Sequence, residues 1–180
     1  NPATITGSSV LTMGTGNTYS GATMVDGGIL RAGSSTVSMR LAANNLTAVP
    51  VLSGGPVGPN TALILANNAG AAFDVNGNRV VVGSLSGGGA SGGDLVLSNG
   101  GSLTIGGINY ETNLSGIATS RTTFGGQISG NGGLNVTGSG VLTLANASNN
   151  FTGQVNILSG TVVVTNAGQL GAGSLPVVVG

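Results

Sequence analysis

Residues 136–144 read Val-Thr-Gly-Ser-Gly-Val-Leu-Thr-Leu, and residues 5–13 read Ile-Thr-Gly-Ser-Ser-Val-Leu-Thr-Met. The two stretches lie 131 positions apart and match by identity or conservative replacement at almost every position. After one inserted residue the match continues, since 17–21 (Asn-Thr-Tyr-Ser-Gly) corresponds to 149–153 (Asn-Asn-Phe-Thr-Gly). Self-similarity of this kind is typical of a repeat architecture.

We interpret residues 1–180 as a single segment with repeat copies at 5–31 and 136–163. The chain opens partway through one unit and closes partway through the next. We therefore expect it to be a window from a longer tandem-repeat protein.

The composition excludes several classes of protein. Gly, Asn, Ser and Thr make up 93 of the 180 residues, charged residues make up 4%, and the formal net charge is zero. Without Cys or His, the chain has no zinc site of the usual kind, no disulfide framework and no Ser-His-Asp triad. Four Arg residues are the only basic side chains, too few for a surface that follows nucleic-acid phosphates. We therefore expect no cofactor and no nucleic-acid partner.

Short stretches of alternating apolar and polar residues, bounded by Gly, Asn and Ser, run along the whole chain. This is the pattern of short β-strands. It predicts strands at 10–13, 23–25, 29–31, 37–41, 62–65, 72–75, 80–82, 95–97, 103–105, 134–136, 141–144, 155–158, 162–164 and 177–179, and around Phe124. No stretch has a convincing helical period.

The strands recur about every 20 residues, since Leu134 precedes Val155 by 21 positions and Val141 precedes Val162 by 21. A β-sandwich or a barrel would show longer strands and more aromatic residues than the 3% present here. We therefore predict an all-β fold, a β-solenoid with about 20 residues per rung and about nine rungs.

The repeated segment resembles a known bacterial family. The glycine-led strand at 137–144, the motif at 149–153 and Gly160-Thr161-Val162 look like the autotransporter-associated β-strand repeat, also called the passenger-associated repeat, and the copy at 7–30 fits the same pattern. Residues 42–60, which include three prolines, fit less well. The resemblance implies a right-handed parallel β-helix in a secreted or surface-displayed bacterial protein, and it implies no particular activity.

Four acidic residues are the only candidates for carboxylate chemistry: Asp26, Asp74, Asp94 and Glu111. A glycosidase needs two carboxylates about 5 to 10 Å apart in one groove. With 20 residues per rung, Asp74 and Asp94 would stack and could bind a cation. The alternative is that both are solvated turn residues, since Asp74 opens a favourable turn sequence. We favour the alternative and predict no catalytic, cofactor-binding or metal-binding residue.

Three further motifs have a functional and a structural interpretation. Residues 89–96 approach the calcium-binding nonapeptide but miss its second Gly and occur once, which favours a hairpin-like corner. Tyr19 and Phe151 occupy matching repeat positions, where an aromatic ring either binds sugar or, as we prefer, fills the interior. Five Asn-x-Ser/Thr sequons begin at Asn45, Asn113, Asn135, Asn146 and Asn150. Chance produces several such matches in this composition, and we expect them to be unmodified in a bacterial surface protein.

Three hypotheses for the function remain open. The first is a structural or adhesive stalk of a surface-displayed or secreted autotransporter-like protein, because stacked rungs stabilise one another. The second is a repeat segment or subunit of an extracellular filament or sheath, which self-associates through rung ends or lateral faces. The third is a carbohydrate-active β-helix enzyme. We favour the first, which predicts no enzymatic activity, a location outside the cell or on the outer-membrane surface, and a host surface or glycan as partner.

Overall fold

The computed structural model describes residues 3–14, 21–33, 37–41, 48–52, 61–106, 121–173 and 175–180. Nearly all the regular structure in these residues consists of β-strands of two to five residues. The strands are β1 (Ala3–Ile5), β2 (Val10–Met13), β3 (Thr23–Val25), β4 (Ile29–Ala32), β5 (Val37–Leu41), β6 (Ala48–Leu52), β7 (Ala62–Leu65), β8 (Ala72–Asp74), β9 (Arg79–Val82), β10 (Ser84–Gly87), β11 (Asp94–Leu97), β12 (Ser102–Ile105), β13 (Arg121–Phe124), β14 (Ile128–Gly130), β15 (Gly133–Val136), β16 (Val141–Leu144), β17 (Val155–Ile157), β18 (Thr161–Val163) and β19 (Val178–Val179).

Helical structure in the described residues is limited to two short 3-10 segments, Ser98–Gly100 and Ala167–Leu170. Within the same ranges, the structure contains no helix with the length and apolar character that crossing a bilayer requires.

Most of these strands form three parallel sheets. Sheet 1 has the order β1-β3-β7-β10-β13-β16-β18, sheet 2 the order β2-β4-β8-β11-β14, and sheet 3 the order β9-β12-β15-β17-β19. Strands that follow one another in the chain fall in different sheets, and each strand pairs with strands from other turns of the chain. This arrangement is a parallel β-helix, so the predicted all-β solenoid is confirmed; the right-handed coiling stays a prediction.

The register fixes how far the chain travels in each turn. Ala3 lies opposite Thr23, a step of 20 residues, whereas Thr23 lies opposite Leu63 and Gly87 opposite Phe124, steps of 40 and 37. The first long step contains β5 and β6, which pair with each other as a separate antiparallel sheet. Because residues in the long steps add no strand to sheet 1, that sheet has seven strands in the described chain instead of the nine rungs expected.

The interior is a continuous stack of apolar side chains. Leu30, Phe73, Leu95 and Ile128 lie opposite one another on four successive strands of sheet 2, and all four are fully buried. In several strands, such as β7, buried and partly exposed residues alternate, as expected where one face of a strand points inward. One cluster of buried residues extends from Ile5 to Val155, so the three sheets share a single core.

Glycines form the corner between sheets 2 and 3, where consecutive turns approach closely. A Cβ atom added at Gly132 would overlap the carbonyl oxygen of Gly101 in the turn before it, and one added at Gly153 would overlap the carbonyl oxygen of Gly132. The three glycines therefore stack along the column because a side chain would push adjacent turns apart.

The two sequence repeats occupy different sides of the column. The strand that reads Val-Leu-Thr-Met in the first copy is β2 in sheet 2, whereas its counterpart Val-Leu-Thr-Leu in the second copy is β16 in sheet 1. Likewise β3 lies in sheet 1 and β17 in sheet 3. The same sequence pattern is therefore compatible with more than one side of the β-helix.

Candidate functional site

Asp74 is a buried acid on the outer side of sheet 2, with 7% of its surface exposed. One carboxylate oxygen accepts a hydrogen bond from Arg31 Nε at 2.9 Å, in a salt bridge across β4 and β8. The other oxygen accepts hydrogen bonds from Ser98 Oγ at 2.5 Å and from the backbone N–H of Asn76 at 2.9 Å. Since both oxygens are engaged, the carboxylate connects three turns of the chain, as a structural ion pair would.

The predicted stack of Asp74 and Asp94 is wrong. Asp94 lies opposite Ala72, and Asp74 lies opposite Val96. The step between β8 and β11 is 22 residues, two more than the spacing that would have placed the acids together. Asp94 instead accepts a hydrogen bond from the backbone N–H of Gln127 at 2.9 Å.

The other two acids add no partner to this pair. Asp26 is exposed, and its side chain accepts a hydrogen bond from Asn68 Nδ2 at 2.9 Å. Glu111 lies outside the described residues. In the ranges that are described, no three His, Cys, Asp or Glu side chains gather in a group that could hold a metal ion.

We expect Asp74→Ala to lower the free energy of unfolding by about 1–2 kcal/mol, because it leaves Ser98 Oγ and the Asn76 N–H without their acceptor. A urea titration followed by circular dichroism measures this difference. The control is Asp26→Ala, which removes an exposed carboxylate and should change stability by less than about 0.5 kcal/mol. Equal effects of the two replacements would contradict a structural role for the ion pair.

A ladder of polar side chains runs along the outer side of sheet 3. Asn156 Nδ2 donates to Asn135 Oδ1 at 2.8 Å, and Asn135 Nδ2 donates to Thr104 Oγ1 at 3.3 Å. The three residues lie opposite one another on β17, β15 and β12. Stacked amides of this kind connect successive strands along a β-stack.

Two buried amides take the place of strand pairing where sheet 2 ends. Asn149, which is 5% exposed, accepts a hydrogen bond from the Ile128 N–H at 2.8 Å and donates one to the Gln169 carbonyl at 2.8 Å. Gln169 is also buried, and its side-chain oxygen accepts hydrogen bonds from the backbone N–H groups of Thr165 and Asn166. Sequence reasoning missed both roles, although Asn149 recurs as Asn17 in the first repeat.

We expect Asn149→Ala to reduce the free energy of unfolding by about 2 kcal/mol, because the Ile128 N–H and the Gln169 carbonyl both lose a buried partner. Its neighbour provides the control, since Asn150→Ala removes an exposed amide. Denaturant titrations of the two variants should differ clearly in midpoint. A neutral Asn149→Ala would show that the buried amide does not join the turns.

The remaining sequence motifs have structural roles where they are described. Gly89 and Gly92 exchange two backbone hydrogen bonds, so residues 89–96 begin with the expected hairpin-like corner. Phe151 is completely buried, which confirms that its ring fills the interior. Tyr19 lies outside the described residues.

Comparisons with known proteins agree with this geometry. A family model, the passenger-associated-transport-repeat, matches residues 4–32 and 134–164. The chain is also 33% identical over 156 residues to the adhesin BmaC autotransporter of Brucella suis biovar 1 (strain 1330), a match that covers 87% of this chain and 4% of that adhesin. No solved structure matches the chain. The chain therefore carries two repeats of the passenger-associated-transport-repeat family, as its resemblance to the autotransporter repeats predicted.

Proposed function

We propose that the chain is a stalk segment of an autotransporter passenger displayed on, or secreted from, a bacterial surface. The observation that carries this proposal is the single core that extends through three parallel sheets from Ile5 to Val155. In a solenoid, each turn is stabilised by the turns beside it, so that the column is stiff along its length. Such a segment holds other parts of a long protein away from the membrane.

The chemistry of the outer surface supports a role without catalysis. The described acids are held apart: Asp74 is paired with Arg31, and Asp94 bonds a backbone N–H. The pair of carboxylates on which an enzyme hypothesis depended is therefore not assembled by these two residues. Amides and hydroxyls occupy the outer ladder of sheet 3, where they connect turns of the column.

Adhesion to a host surface or glycan is the finer part of the proposal. The relative named as an adhesin supports it in general terms, and the present chain spans 4% of the length of that protein. Within a passenger of that length, we propose that this segment contributes reach and that the adhesive contacts lie in other segments.

The stalk proposal is tested by comparing the isolated chain with the longer passenger to which it belongs. The folded 180-residue chain should show no saturable binding to host cells or immobilised glycans that the longer passenger binds. Deleting this segment in frame should shorten the distance of an N-terminal epitope from the cell surface and leave binding of soluble ligand unchanged. Saturable binding by the isolated chain would instead assign adhesion to this segment.

Lateral self-association is a second candidate, which the outer face of sheet 1 favours. One column of this face consists of uncharged side chains in register: Ile64, Ser86, Thr123, Thr143 and Val163. Because the column is uncharged, two copies could approach along it without repulsion. Sedimentation velocity of the chain and of the Thr143→Asp variant tests this, since a charge in the column should abolish any concentration-dependent dimer.

A further inference from the structure

The sequon at Asn150 differs from the others in its exposure. The backbone N–H groups of Asn150 and Thr152 donate to the carbonyls of Ile128 and Gly130, at 3.0 and 2.9 Å, which holds the segment extended along β14. Since side chains alternate along an extended segment, Phe151 points into the core while Asn150 and Thr152 point outward, and both are exposed. The Asn150 side chain makes no hydrogen bond to any described residue.

The other two described sequons are closed by their own hydrogen bonds. Asn135 belongs to the amide ladder of sheet 3, and the hydroxyl of its sequon partner Thr137 is buried and donates to the Ile105 carbonyl. Asn146 donates to the Gly125 carbonyl at 3.3 Å and accepts from the Ser148 N–H at 2.8 Å. Modification of either asparagine must first break these contacts.

We propose that Asn150 is a glycosylation site of the folded protein, which accepts one hexose from a nucleoside diphosphate hexose by the action of an N-glycosyltransferase. In this transfer Asn150 Nδ2 attacks the anomeric carbon, and a C–N bond forms. The bond between that carbon and the diphosphate oxygen breaks, the nucleoside diphosphate leaves with the electron pair, and a base of the transferase takes the amide proton. The exposed Thr152 hydroxyl, on the same side of the segment, is available for recognition by the enzyme.

The test uses the folded chain with Asn45→Gln and Asn113→Gln, so that only the three described sequons remain. It is incubated with UDP-glucose and an N-glycosyltransferase specific for Asn-x-Ser/Thr, and modified peptides are followed by mass spectrometry. We expect one hexose, on Asn150, with Asn135 and Asn146 reacting at least about tenfold more slowly because their hydrogen bonds must open. In urea-unfolded chain, the three rates should become similar.

Matched variants separate accessibility from loss of fold. Thr152→Val should abolish the modification and Thr152→Ser should retain it, with unchanged circular dichroism in both. Ser148→Ala, which destroys the neighbouring sequon, should leave the yield of modified Asn150 unchanged. Equal rates at Asn146 and Asn150 in the folded chain, or no hexose on Asn150 while the unfolded chain is modified there, would overturn the proposal.

Discussion

Replacing Phe151 with Ala is expected to lower the free energy of unfolding by about 3–5 kcal/mol, the largest effect of any substitution considered for this chain. The ring is completely buried in the second repeat, at the top of the stack formed on sheet 2. Its removal leaves a cavity that the surrounding backbone cannot close, because the carbonyl of Phe151 is itself bonded to the N–H of Ala172 in the next turn. Urea titration followed by far-ultraviolet circular dichroism measures the loss.

The control for Phe151→Ala is Leu158→Ala, which truncates an apolar side chain that is 53% exposed. We expect this variant to differ from the parent by less than about 0.5 kcal/mol. If both truncations cost the same, the ring of Phe151 would not be part of a packed interior. In that case its repetition at Tyr19 would require a different explanation, such as ligand binding.

Gly132→Ala should destabilise the chain by about 3 kcal/mol, at the upper end of overpacking effects. The added methyl group would overlap the carbonyl oxygen of Gly101, which is backbone and cannot rotate away. The replacement must therefore separate two turns and weaken the hydrogen bond from the Gly133 N–H to the same carbonyl. Denaturation curves and amide hydrogen exchange should both show weaker protection at the corner between sheets 2 and 3.

Gly14→Ala provides the matched control for this replacement. A Cβ atom at Gly14 meets no atom within 4 Å, and its backbone conformation is one that alanine adopts. It should be neutral or slightly stabilising, by up to about 1 kcal/mol, because alanine restricts the unfolded chain. A Gly132→Ala variant as stable as Gly14→Ala would mean that the turns are not in close contact at this corner.

The strand pattern could be predicted from the sequence wherever apolar residues alternate. Val10–Met13, Ala62–Leu65 and Val141–Leu144 form strands over the ranges that the alternation indicates. The prediction missed Ser84–Gly87, because a strand with a single buried aliphatic side chain has almost no alternation to detect. Its strand conformation follows from pairing with Ala62–Leu65 in the preceding turn, which a local pattern does not contain.

The candidate site was harder to predict, because register depends on the lengths of individual corners. The step between paired residues is 19 from Val10 to Ile29 and 23 from Val80 to Leu103, so an average near 20 cannot say which side chains stack. For this reason the expected pairing of the two acids failed. The partner of Asp74 is Arg31, which lies 43 residues away, across the long step that contains the antiparallel hairpin.

The displacement of equivalent strands, β2 in sheet 2 and β16 in sheet 1, limits how a binding partner can read the two repeats. Outward residues at matching positions look in different directions, so a rigid bivalent receptor or antibody that grips one copy finds the other turned away. Avidity is lost when geometry forbids simultaneous engagement, whatever the affinity of each contact. Only a flexible partner that winds around the shaft can hold both copies at once.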